Sequence, residues 1–303
     1  MTPTFLTPTR ILLLSIVFAA PLFGQSGNLV QNGDFSKGTS GWTFSGFAVN
    51  PKVVTFDTAG MGASPSFSCH PGSKKNTLPP GGRYEMKQMV QLIQGVPHFL
   101  VANIAVYNAI PLNNADAGTI EVWVDGVRIS RVKFGPMRAS QTYRRQICPR
   151  FIPKSTGKKE LKFVFARAWG ARALTPRHHI DDIVLLRAPA RPLICPRGER
   201  KLGGTLTLDL YGAKQAAFVL FVAGSPGKAL QVPGFGGFFS LPLPPLSIPV
   251  LTGSLNAKGT KRWTLPLSAS LAPLLGRPLY WQALQLTTGS KGFGTVATFG
   301  IYR

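Results

Sequence analysis

Acidic residues are scarce in this chain. Its 303 residues include 11 Asp and Glu against 34 Lys and Arg, which gives a formal net charge of +23. Glycoside hydrolysis normally uses two carboxylates in register, and most of the few carboxylates here fall in turns or beside charged neighbours. Glu85 and Glu121 are the only strand carboxylates that could pair across one face. The composition therefore disfavours a glycosidase and favours partners of negative charge.

Catalytic motifs are absent as well. The chain has no G-x-S-x-G, no H-E-x-x-H and no phosphate-binding loop. Its clustered histidines, His178 and His179, are adjacent, so on a strand they would point to opposite faces and would not readily share a metal. We expect both to be surface or loop histidines, and we expect no catalytic residue.

Long hydrophobic runs are missing after the first residues. Arg10 precedes an apolar run over 11–20 and then small, turn-forming residues, which predicts a signal peptide over 1–25. The run is short for a membrane span, although an uncleaved anchor is the alternative. We therefore expect a secreted, extracellular or cell-surface protein with no transmembrane segment once the leader is removed.

The positive charge is concentrated late in the first half of the chain. Residues 128–191 contain 16 Lys and Arg but only three acidic residues. Such a field attracts polyanions, and the candidates are acidic or sulfated polysaccharide, an anionic cell envelope and extracellular nucleic acid. No motif indicates a specific nucleic acid, and a merely solvated surface is the alternative.

Short alternating stretches fill residues 26–187. Phe99 to Tyr107 alternates between two faces, and Asp125-Gly126 is a hairpin turn pair between two further alternating stretches. No capped segment with helical periodicity is present. The pattern predicts an antiparallel β-sandwich.

The amino-acid composition changes after a Pro- and Arg-rich stretch over 188–202, which we interpret as a linker. Residues 203–303 are rich in Gly, Pro, Leu and Phe and again contain short strand patterns. They are numerous enough for a core of their own. The predicted fold class is all-β, with an N-terminal antiparallel β-sandwich and a second, smaller C-terminal all-β sandwich domain.

The three cysteines are an odd number for an oxidising compartment. Cys69 and Cys148 both fall within the first predicted domain, so we expect them to pair. A Cys148–Cys195 disulfide is the alternative.

Several motifs in residues 28–187 together resemble the jelly-roll carbohydrate-binding modules of the family 4, 9 and 22 type, whose fold is galactose-binding-like. These motifs are Asn28 to Phe35, Gly41-Trp42, Tyr84 to Gln88, Glu121 to Gly126, Ser155 to Gly157, Phe163 to Phe165 and Ile180 to Ile183. The resemblance implies a jelly roll that binds carbohydrate without catalysis. The C-terminal part is similar to an uncharacterised β-domain of secreted proteins from planctomycete-like bacteria, which implies no site.

Modules of this type bind sugars on aromatic platforms flanked by polar side chains. The resemblance therefore implies a candidate ligand site, with Trp169 as the aromatic most expected to be exposed. The candidate ligand-binding residues are Trp169, Trp123, Tyr84, Tyr107, Arg167, Arg172 and Asn103.

The resemblance also implies a structural calcium ion between the first turn and the last strand. The matching ligands are Asp34 and Asp182, with backbone carbonyls of the first loop, and calcium accepts such oxygens. Ser36 stands where the family often has Glu, which removes one ligand. Pairing of Asp181 and Asp182 with Arg or Lys is the alternative.

The function that we expect is that of a secreted, non-catalytic carbohydrate-binding or cell-surface protein whose ligand is a glycan, in particular an acidic polysaccharide. One alternative is a structural or adhesive extracellular protein without sugar binding. The other is a polysaccharide-active enzyme with an unrecognised site, for which Glu85 and Glu121 would be the first candidates.

Overall fold

The computed structural model describes residues 27–71, 82–111, 113–114, 116–167, 176–187, 192–197, 200–235, 238–242, 247–288, 291–294 and 297–301. Over these residues the protein is built of antiparallel strands, apart from a short 3-10 helix at Ala269–Leu274. The all-β prediction is confirmed. Across the same residues, no helix has the length and apolar character needed to cross a membrane. The predicted signal peptide lies outside the described residues.

The strands of the N-terminal part form two sheets. In chain order they are β1 (Thr43–Gly46), β2 (Ala48–Phe56), β3 (Ser64–Pro71), β4 (Gly82–Leu92), β5 (His98–Tyr107), β6 (Gly118–Val124), β7 (Val127–Phe134), β8 (Thr142–Ile147), β9 (Arg150–Phe151), β10 (Gly157–Arg167) and β11 (Arg177–Arg187). Sheet A has the order β1-β4-β10-β6-β7. Sheet B has the order β2-β3-β11-β5-β8, with β9 paired to β5. We call the two sheets together the N-terminal sandwich.

A single hydrophobic core lies between sheets A and B. Met86 and Phe163 enter it from sheet A, and Ile104 and Ile180 enter it from sheet B; all four are fully buried. Successive strand residues point to opposite faces, so their neighbours in sequence face outward. Burial of each such side chain contributes about 1.5–3 kcal/mol, and the resulting rigid sandwich fixes the positions of the outward side chains.

The first described segment is held on the last strand of the sandwich. The Asn28 side chain donates to the Ile183 carbonyl at 3.2 Å and accepts from the Leu185 amide at 2.9 Å. The Ile183 amide donates to the Gly33 carbonyl at 3.0 Å. A bulge between Asp181 and Val184 interrupts the β11–β5 register at this point. The two motifs that begin and end the jelly-roll resemblance are therefore in direct contact.

The histidines lie in the interior, so the expectation of surface or loop histidines at His178 and His179 is wrong. Nε2 of His178 lies 2.7 Å from the Ala117 carbonyl, and the ring of His179 stacks on Phe56 with centroids 3.7 Å apart. Loss of hydration on burial lowers the pKa of each to about 3. His70 and His98 are also buried, and desolvation lowers the pKa of each.

The C-terminal part contains further antiparallel sheets. Its strands are β12 (Leu193–Arg197), β13 (Thr205–Tyr211), β14 (Ala217–Ala223), β15 (Leu230–Gln231), β16 (Phe238–Phe239), β17 (Ser247–Ser254), β18 (Thr260–Pro266), β19 (Pro278–Leu286), β20 (Lys291–Phe293) and β21 (Ala297–Gly300). Sheet C is β12-β13-β18, and sheet D is β17-β14-β19-β20 with β21 also on β19. A core that includes Leu208 from sheet C and Leu220 from sheet D joins them. We call these two sheets the C-terminal sandwich.

A disulfide joins the two sandwiches. Cys148 follows β8 and is bonded to Cys195 of β12. Beside it, the rings of Phe99 and Tyr211 meet edge to face with centroids 4.9 Å apart. The predicted Cys69–Cys148 pair is wrong because Cys69 faces the core between sheets A and B, where burial raises its thiol pKa. The alternative pairing is the observed one.

Candidate functional site

Charged side chains cover the outer face of sheet A. In β4, Tyr84 and Met86 point into the core, so Arg83, Glu85 and Lys87 point outward. Strands β10, β6 and β7 add outward side chains to the same face. We call this surface the Trp123 face; its residues are Arg83, Glu85, Lys87, Glu121, Trp123, Arg128, Arg131, Lys133, Lys158, Glu160 and Lys162.

Trp123 lies near the middle of this face. The two-residue turn at Asp125-Gly126 pairs β6 with β7 and sets Trp123 opposite Arg128, while β10 sets Lys162 on its other side. The Arg83 and Arg128 guanidinium carbons and the Lys162 Nζ each lie 5.8 Å from the Trp123 ring centroid. Each such contact is worth about 0.5–1 kcal/mol at an exposed site.

Three carboxylates pair with the surrounding cations: Glu85, Glu121 and Glu160, the last at 3.6 Å from Lys162 Nζ. The first of them is Glu85. It lies 3.0 Å from Arg83 Nε, 2.7 Å from Lys87 Nζ and 3.7 Å from Lys162 Nζ. Partial desolvation acts to raise the pKa of Glu85, but the three cations outweigh it and the pKa is lowered.

Glu121 is the second carboxylate. It lies 3.2 Å from Arg128 Nη1 and 3.2 Å from Arg131 Nε, and it accepts the Trp123 indole N–H at 3.0 Å. The indole is therefore oriented by a hydrogen bond at its edge as well as by the cations near its ring. This arrangement fixes the Trp123 side chain on the surface of the sheet.

Glu85 and Glu121 do share a face. Both pair in register with Val164 of β10, which puts their backbones about 10 Å apart, two strand spacings. A glycosidase needs one of its two carboxyl groups as a general acid with a raised pKa. The pKa of Glu85 is lowered, and each carboxylate is bound to at least two cations. Glu85 therefore does not have the raised pKa of such a general acid.

Tyr84 is not a binding platform, contrary to the sequence prediction. Its ring packs in the core against Phe44 at 5.9 Å and Phe67 at 6.2 Å, between centroids, and the residue is 7% exposed. The alternation of β4 points it inward together with Met86. No ring face remains for a sugar.

Asn103 and Arg167 are also buried, so they are not the open polar contacts that the sequence predicts. The Asn103 amide donates to Asp182 Oδ2 at 2.9 Å and accepts from Gln146 Nε2 at 3.0 Å. The Arg167 guanidinium donates to the Asp116 carbonyl at 2.7 and 3.1 Å. Buried polar groups must be satisfied internally, and these side chains hold strands and loops together.

Trp123 and Tyr107, the remaining predicted ligand residues that the structure describes, lie apart from each other. Tyr107 lies on the outer face of sheet B, where it is half-buried with its ring centroid 6.0 Å from that of Phe56. It is therefore on the opposite side of the N-terminal sandwich from Trp123. The positions of Trp169 and Arg172 lie outside the described residues.

The predicted calcium ligands lie close to one another but are bound by protein groups. Asp182 accepts from Asn103, Asp34 accepts from Ser36 Oγ at 3.0 Å, and Asp181 accepts from Ser64 Oγ. In the part of the chain that the structure describes, no three acidic, histidine or cysteine side chains are arranged to hold a metal ion. Calcium binding by Asp34 and Asp182 stays a prediction. A shift in Tm on adding calcium would test the prediction.

The neighbours of Trp123 were missed at the level of sequence. A two-residue hairpin turn at Asp125-Gly126 pairs the residues on either side of it, so it also pairs Trp123 with Arg128. That signal was available. The sequence contains no comparable signal for Arg83 and Lys162, because their approach to Trp123 depends on the order in which distant strands join the sheet.

Comparisons with known proteins give distant likenesses in structure. No known protein family matches the sequence, and no curated protein matches it. An arabinose-bound α-L-arabinofuranosidase, MgGH51, is 14% identical with a TM-score of 0.37 over 53% of this chain and 26% of that chain. The likeness thus spans about half of this chain and about a quarter of that enzyme.

Two carbohydrate-binding modules are similar over about half of this chain. TmCBM61, in complex with β-1,4-galactotriose, is 19% identical with a TM-score of 0.33, covering 54% of this chain and 99% of the module. A family 16 module is 19% identical with a TM-score of 0.32, covering 52% of this chain and 99% of the module. None of these likenesses assigns a ligand to this chain.

Proposed function

We propose that the protein is a secreted, non-catalytic carbohydrate-binding protein and that its binding surface is the Trp123 face. The observation that carries the proposal is the placement of Trp123, which is held on the outer face of sheet A by Glu121 and surrounded by long polar side chains. An aromatic ring with adjacent hydrogen-bonding groups suits the apolar and hydroxyl faces of a sugar. The jelly-roll resemblance of the sequence supports the same function.

Binding is tested with the chain from residue 26 onward on an array of neutral and acidic polysaccharides. We expect Trp123→Ala to weaken binding about tenfold or more, as loss of a well-placed aromatic does. The matched control is Phe238→Ala, which removes an aromatic that is 51% exposed on β16 in the C-terminal part. Equal binding by both variants, at unchanged Tm, would show that the site lies elsewhere.

The absence of catalysis is a separate part of the proposal. Incubation with each bound polysaccharide should release no new reducing ends. If reducing ends are released, the variants Glu85→Gln and Glu121→Gln test whether either carboxylate takes part in the hydrolysis. If either substitution abolishes the release of reducing ends, the protein is an enzyme and the non-catalytic proposal is wrong.

Secretion is tested by whether the predicted signal peptide directs export and is cleaved. Expression of the full chain with its leader in a bacterial host should give an exported protein whose N-terminus begins near residue 26. Mass spectrometry of the exported protein measures that terminus. Retention of residues 1–25 on a membrane-bound product would contradict cleavage.

A further inference from the structure

We infer that the ligand of the Trp123 face is an acidic polysaccharide, whose carboxylate or sulfate groups are bound by Lys87, Lys162 and Arg128. The inference rests on the carbohydrate binding proposed above and specifies the charge of the carbohydrate. Three observations on this face support the inference. The cations form a row, they outnumber the carboxylates, and three of them lie around the indole ring of Trp123.

The cations form a row across the strands. Lys87 of β4 pairs in register with Lys162 of β10, which pairs with Trp123 of β6, which pairs with Arg128 of β7. Neighbouring strands are spaced at about 4.8 Å, so the row extends for about 14 Å. A linear polymer with a charge on each unit can lie along this row and contact several cations at once, which an isolated anion cannot.

The cations on this face outnumber the carboxylates that pair with them. Glu85 is shared by three cations and Glu121 by two, and Glu160 lies 3.6 Å from Lys162. The side chains of Lys87 and Lys162 are 26% and 17% exposed. The side chains of Arg83, Arg128 and Arg131 are 48%, 45% and 51% exposed. Exposed ion pairs are worth little, so the three arginine side chains can turn toward an anionic ligand at small cost.

The surroundings of Trp123 favour the same ligand. Three cationic groups lie 5.8 Å from its ring centroid, and its N–H is bound to Glu121. Less of the ring is open to a neutral sugar than on a bare aromatic platform. The indole instead holds the Arg128 and Lys162 charges in position, where they can bind acidic groups of a ligand.

The experiment compares one polymer in two charge states. Polygalacturonate and its fully methyl-esterified, neutral form share a backbone, so their Kd values differ through charge. We expect tighter binding of the acidic form, with an affinity that falls as salt shortens the Debye length from about 10 Å at 0.1 M. Arg128→Gln with Lys162→Gln should weaken binding of polygalacturonate about tenfold. The conservative pair Arg128→Lys with Lys162→Arg should retain most of it.

The control removes two exposed cations elsewhere, Lys52→Gln with Lys258→Gln, and should change Kd less than about twofold. Lys133→Gln, on the same exposed edge of β7, is a second test variant if the double variant is unstable. Equal binding of the neutral polymer, unaffected by these substitutions, would overturn the charge assignment and leave the proposed function standing. Failure to bind any polysaccharide would overturn both. Equal losses in the control pair, or equal affinity for DNA, would show a general polyanion effect and overturn the inference.

Discussion

Replacing Asp181 by asparagine should make the stability of the protein less dependent on pH. Asp181 is fully buried on β11, where its carboxyl accepts from Ser64 Oγ and from the Asp182 amide. Loss of hydration is the main cause that raises its pKa, and the neighbouring Asp182 and Asp34 carboxylates add to it. The pKa rises from 3.8 to about 8, so the folded protein holds a neutral acid at neutral pH.

The sign of the effect follows from proton binding. Between pH 4 and 8 the unfolded chain has lost the Asp181 proton while the folded chain retains it, so stability falls as pH rises. Each pH unit costs about 1.4 kcal/mol for one proton, and the whole window sums to roughly 6 kcal/mol. Asparagine resembles the neutral acid in shape and does not ionise, so Asp181→Asn removes this decline.

Urea unfolding from pH 5 to pH 9 measures the effect. The free energy of unfolding of Asp181→Asn, minus that of the wild type, should increase steadily with pH and then level off above pH 8. Asp125→Asn, on an exposed hairpin turn, controls for the loss of one negative charge. A difference that stays constant with pH would refute the burial argument.

The remaining predictions concern three other features of the fold. Below pH 6.5 the buried His178 and His179 oppose folding, because the unfolded chain binds protons that the folded chain excludes; each costs about 1.4 kcal/mol per pH unit down to about pH 3, and acid titration of Tm measures the loss. His70 and His98 act in the same direction. Replacing Cys148 and Cys195 by alanine opens a loop with a sequence separation of 47 and should cost about 4 kcal/mol, measured by urea unfolding. Gly33→Ala places a methyl group 2.0 Å from the Ile183 carbonyl oxygen and should cost about 1–3 kcal/mol. Gly135→Ala, which meets nothing within 4 Å, should leave Tm unchanged.

Local patterns in the sequence are sufficient to predict the strands. The alternation from Phe99 to Tyr107 corresponds to β5, with Leu100 and Ile104 in the core. The Asp125-Gly126 pair forms the β6–β7 turn, with positive φ at both residues. These features depend on neighbours in sequence, and for that reason the fold class could be predicted.

The candidate site was harder to predict because it depends on contacts between distant strands. Trp123 was identified, but Tyr84 and Asn103 were placed on a ligand surface although one packs in the core and the other binds Asp182. Period-two alternation separates the two faces of a strand without saying which face is covered. Cys148 pairs with Cys195 because the C-terminal sandwich packs beside β8, a tertiary contact that spacing alone does not specify.

The Cys148–Cys195 bond has a consequence for how the protein responds to a protease. It encloses every peptide bond between the two cysteines, including those in the stretch that connects the two sandwiches. A protease that cuts once anywhere in this loop produces two polypeptides that remain covalently attached. The nicked protein would migrate as one species under non-reducing conditions and as two after reduction, so a ligand held by the first sandwich would stay attached to whatever the second one contacts.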